Sequence, residues 1–131
     1  MRNTLKFCVV ALTMSATLAN SQITTLGEAI NKAGMQRMYT MKMAKNYMSI
    51  GAGIKVAEAT KELEEVSSQF NENYNDLMLF AKTKDTKDAL TFAGTIWNKY
   101  REKVNETPTI ENANLIITEA NYLINAFGNP Q

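Results

Sequence analysis

The chain has 131 residues, a formal net charge of +1, one cysteine and no histidine. This length corresponds to one domain, and the near-neutral charge gives no electrostatic footprint for nucleic acid. Without histidine, Ser–His pairs and the commonest zinc ligand are excluded.

The first segment reads as an export signal. Arg2 and Lys6 make a basic start, Phe7 to Leu18 an apolar run, and Ala19 and Ser21 a small-residue end. This pattern predicts a signal peptide over residues 1–21, cleaved after Ala19 or Ser21. The run falls short of the roughly 20 apolar residues that span a bilayer, so an uncleaved anchor is the weaker alternative. Cys8 lies inside the run behind Phe7, which is not the setting of a lipoprotein cysteine. The mature domain, 22–131, then has no thiol or disulfide, and losing Arg2 and Lys6 takes the formal charge from +1 to −1. A periplasmic product is expected.

Four helices follow. Thr25 and Glu28 have capping-box spacing, which opens a helix over Leu26–Ser49, and Gly51-Ala52-Gly53 supplies the glycines that end one. Leu63, Val66, Phe70, Tyr74, Leu77 and Phe80 recur at three and four, a second helical stripe. After the polar break Lys82-Thr83-Lys84-Asp85, a third helix gathers Ala89, Leu90, Ala93, Ile96, Trp97, Tyr100 and Val104 on one face. Thr107-Pro108 reads as N-cap and first helical position of a fourth helix. Its stripe is Ile110, Ala113, Ile117, Ala120, Ile124 and Phe127, and it stops at Gly128. With no period-two segment, these elements predict an all-α, antiparallel up-down four-helix bundle. The first helix is basic and the second acidic, so the two should lie side by side. Trp97 and Tyr100 are expected in the core.

The first helix carries a conflict. At about 100° per residue, Leu26, Ile30, Ala33, Gly34, Met41, Ala44 and Met48 share one side, and Arg37 falls in its middle. A buried arginine needs a partner, so either a carboxylate of the fold or an anionic ligand should meet Arg37. Its planar fork of donors suits an oxyanion or a carboxylate, and Gly34, one turn earlier, leaves room beside it. Met35, Tyr39, Met43, Tyr47 and Ile50 lie away from this stripe. A helix apolar nearly all round needs more than one partner surface, and association of two chains through it is expected. Met35, Met38, Met41, Met43 and Met48 raise a separate reading, since thioethers are soft ligands that select Cu(I). Methionine is also a common core filler. A bundle with a purely structural role is the third reading. No nucleophile–base pair is legible, so an enzyme is not expected, and no cofactor is implied.

Ile30-Asn31-Lys32-Ala33-Gly34-Met35-Gln36-Arg37-Met38, followed by Met43-Ala44-Lys45, resembles the opening helix of the PilJ-type domain. That is the N-terminal domain of type IV pilus methyl-accepting chemotaxis transducers, related to the periplasmic domains of nitrate/nitrite sensor kinases. The chain departs from the family pattern at Tyr39, Thr40, Met41 and Lys42. The resemblance implies a sensor domain that takes a small ligand, such as nitrate or nitrite, or a membrane receptor or sensor kinase as partner. It also implies Gly34 and Arg37 as ligand-binding residues at a homodimer interface.

Overall fold

A computed structural model describes residues 22–128; the signal peptide expected over 1–21 lies outside them. The described residues form α1 (Leu26–Gly51), α2 (Val56–Phe80), α3 (Lys84–Val104) and α4 (Ile110–Gly128), with no strand among them.

Local chemistry sets most of the boundaries. The Thr25 hydroxyl accepts from the Glu28 backbone amide, and the Glu28 carboxylate accepts in return from the Thr25 amide. These bonds satisfy donors that a helix start otherwise leaves without partners. The Thr24 amide and hydroxyl add hydrogen bonds of 2.7 and 3.1 Å to the same carboxylate, which holds the Glu28 pKa below its ordinary value. α1 ends at Gly51, and Gly53 takes the left-handed conformation at φ 70°. Lys55 also adopts positive φ, 45°, a conformation that costs a side-chain-bearing residue roughly 1–2 kcal/mol. Thr83, inside the polar break, caps α3 by accepting from the Thr86 amide. α4 begins later than expected. The cap is Thr109, whose hydroxyl accepts from the Asn112 amide at 3.0 Å. The Thr107 carbonyl instead accepts from the Tyr47 hydroxyl.

α1 packs against α2 and α4, and α3 closes the bundle against both of those. The opposite charge of α1 and α2 appears as Lys32–Asp76 at 2.9 Å and Lys42–Glu62 at 3.9 Å. Phe70 and Trp97 stack at 4.1 Å in the centre, with Tyr100 and Met43 fully buried beside them. The α2 and α3 stripes face inward as expected, except that Ala89 is exposed.

Two stripes are rotated from their expected phase. In α4 Ala113, Ala120 and Phe127 of the expected stripe pack inward, but Ile116 and Leu123 take the centre of the core while Ile110 is 86% and Ile117 51% exposed. Ile116 and Ile117 are adjacent, as are Leu123 and Ile124, so two apolar stripes about 100° apart exist and packing selects one. In α1 the buried set is Ala29, Gln36, Tyr39, Thr40, Met43, Asn46 and Tyr47. Leu26, Ile30 and Met41, assigned above to the inward side, are exposed. Two of the three polar members reach backbone carbonyls, while Asn46 Nδ2 and Gln36 Oε1 have no hydrogen-bond partner among the described residues. Gln36 Nε2 donates to the Phe70 carbonyl at 2.9 Å, and Thr40 donates to the Gln36 carbonyl at 2.8 Å. Tyr100 donates to the Thr40 carbonyl at 2.8 Å. These bonds offset the desolvation that would otherwise keep such groups out of a core.

Candidate functional site

The rotation of α1 changes the setting of Arg37. Its side chain is half-buried at the edge of the α1–α4 contact, not at the centre of a buried face. Nη1 donates to the Phe127 carbonyl at 3.3 Å, in the last turn of α4. Among the described residues Arg37 has no carboxylate partner. The expectation was a carboxylate or a ligand. The fold supplies a third partner, the carbonyl end of a helix, which carries about half a negative charge.

Two glycines flank the guanidinium. A Cβ built on Gly34 would lie 3.6 Å from Nη2, and one built on Gly128 would lie 3.6 Å from Nη1. Gly34 and Arg37 are thus brought together as the sequence spacing predicts, and Gly128, which the spacing does not reveal, completes the setting. Beside them Ile30 is 65% and Met41 62% exposed, so this side of α1 presents apolar surface on both sides of a cation. Ile30, Gly34, Arg37 and Met41 follow one another at spacings of four, three and four, the repeat of a helix–helix seam, while Ala44 and Met48 further along pack at the margin of the chain's own core.

The same guanidinium stands on the wall of a cleft of about 320 Å³ at one end of the bundle. Every helix contributes to that cleft. Ile30 and Ala33 come from α1, Leu77 and Phe80 from α2, Thr86, Ala89 and Leu90 from α3, and Phe127 and Gly128 from α4.

The methionines do not gather there. Met43 is buried in the core, Met35 and Met48 pack at its margin, and Met38 and Met41 reach the surface. Trp97 and Tyr100 are core residues, with Tyr100 titrating well above the ordinary tyrosine range because it is buried. No group of three or more acidic, histidine or cysteine side chains able to hold a metal ion occurs among the described residues.

The sequence profile described as the N-terminal region of type IV pili methyl-accepting chemotaxis transducers, PilJ, matches residues 18–119. The chain belongs to the PilJ family. The match spans α1, α2, α3 and the first half of α4, and contains Gly34 and Arg37. No curated relative and no solved structure matches. PilJ membership makes this a sensor- or transducer-type domain associated with chemoreceptor signalling. No helix among the described residues of this PilJ domain is long and apolar enough to cross a membrane.

Proposed function

We propose that this PilJ-type domain acts in the periplasm as a non-catalytic sensor, binding a small anion such as nitrate or nitrite at Gly34 and Arg37. Two copies meet there through the exposed side of α1. The assembled domain presents its ligand state to a membrane chemoreceptor or sensor kinase. The observation that carries this reading is a guanidinium between exposed Ile30 and Met41 whose hydrogen bond, among the described residues, goes to a carbonyl and not to a carboxylate.

The chemistry follows from symmetry. A two-fold contact uses the same patch on both chains, so two Arg37 side chains approach and repel. A planar oxyanion between them accepts from both forks and turns the repulsion into bridging. Ligand and dimer are then thermodynamically linked, because each stabilises the state that the other prefers.

Sedimentation velocity on the purified chain, with and without nitrate, tests the proposal. The dimer fraction should rise with the anion, and Gly34→Glu should abolish the dimer while circular dichroism keeps its helical signal. A chain that stays monomeric at every concentration, in nitrate and in other small anions alike, would overturn it.

A further inference from the structure

The cleft beside Arg37 sets the class of ligand more narrowly than the guanidinium alone does. We infer that it binds a short monocarboxylate with an aliphatic or single-ring tail, the carboxylate on Arg37 and the tail among the apolar ends of the four helices. The inference rests on the reading of Arg37 as an anion-binding residue.

Volume and polarity support it. A cleft of about 320 Å³ falls at the lower end of the about 300–1,000 Å³ typical of small-molecule sites, which combine apolar walls with few polar anchors. A bare oxyanion would leave most of this space empty. The walls are mainly Ile30, Leu77, Phe80, Leu90 and Phe127, with Thr86 polar, and the cation among the described residues that line the cleft is Arg37. Among the described residues Arg37 makes one hydrogen bond, through Nη1 to the Phe127 carbonyl, and a guanidinium carries five N–H donors. Donors therefore remain for an incoming carboxylate without breaking the contact to α4. One fixed positive charge at the margin of an apolar cleft is complementary to a molecule with one negative head and an apolar tail. A dianion would have to desolvate its second charge against these walls, and a neutral alcohol would forgo the stronger charge-assisted bond.

The test is a calorimetric titration of the purified chain at constant ionic strength with acetate, butanoate, hexanoate, 1-hexanol and nitrate. Affinity should rise roughly fourfold per buried methylene from acetate to hexanoate, the factor expected from apolar transfer. Arg37→Gln should weaken hexanoate by about tenfold or more, as loss of a charge-assisted bond implies. Ala89 lines the cleft from an exposed position on α3, so Ala89→Trp should fill it and remove the chain-length gain while the nitrate response persists. The wild-type series decides the matter independently of whether either variant folds. Equal affinity for nitrate, acetate and hexanoate would overturn this inference and leave the anion site standing. Hexanol binding as tightly as hexanoate would also overturn it. No heat with any anion would overturn both readings.

Discussion

Replacing Arg37 by alanine separates the arrangement found here from the one its helical position suggested. A guanidinium paired with a buried carboxylate would leave an uncompensated charge on removal, at a cost of about 3–5 kcal/mol. The observed partner is the Phe127 carbonyl at 3.3 Å, a long contact made by a half-buried side chain. A cation at a helix C-terminus contributes about 0.3–1 kcal/mol, and up to about 2 kcal/mol when partly buried. Alanine returns a few tenths of a kcal/mol as the better helix former. Arg37→Ala should therefore cost about 1 kcal/mol in the absence of ligand. The assay is urea unfolding followed by circular dichroism, compared at low ionic strength and at about 0.5 M salt, where a screened interaction weakens. A loss of about 3 kcal/mol or more would mean a stranded carboxylate, and a gain in stability would mean that the α4 carbonyls do not compensate the charge. Either result refutes Arg37 as a cap on α4.

Two further outcomes are expected. Gly94 lies where the Tyr74 hydroxyl reaches the Leu90 carbonyl at 2.8 Å, so a Cβ there would collide with that hydroxyl. Gly94→Ala should destabilise by about 1–3 kcal/mol in urea melts despite its better helix propensity. Adding Tyr74→Phe should recover part of that loss, and purely additive effects of the two changes would contradict the collision. Glu28 has its folded-state pKa lowered, chiefly by the hydrogen bond from the Thr24 amide. A depressed carboxylate contributes stability above its unfolded pKa that is lost as pH falls through the folded value. Stability should thus decline on acidification below about pH 4.5 less steeply in Glu28→Gln than in the wild type. Identical acid-side profiles would refute the contribution of the capping box.

The sequence alone determined the number of helices, the box at Thr25 and Glu28, the glycine stop after α1, and the inward faces of α2 and α3. These depend on local hydrogen bonds or on a single apolar stripe, and both are written in nearby residues. The side-by-side packing of basic α1 and acidic α2 was legible for the same reason, since charge is countable along a chain. Gly34 and Arg37 were legible as neighbours because they lie one helical turn apart. The tertiary structure decided what a stripe cannot. α1 is apolar or small on most of its circumference, so periodicity offers two inward faces. The chosen face contains Gln36 and Thr40, because carbonyls of Phe70 and of α1 itself accept their hydrogen bonds. In α4 the adjacent pairs Ile116–Ile117 and Leu123–Ile124 made two phases equally apolar, and fit against α1 and α3 selected one. The partner of Arg37 is a backbone carbonyl in the last turn of the last helix. Every residue carries that group, so no residue type announces it, and only the folded chain brings the end of α4 to Arg37.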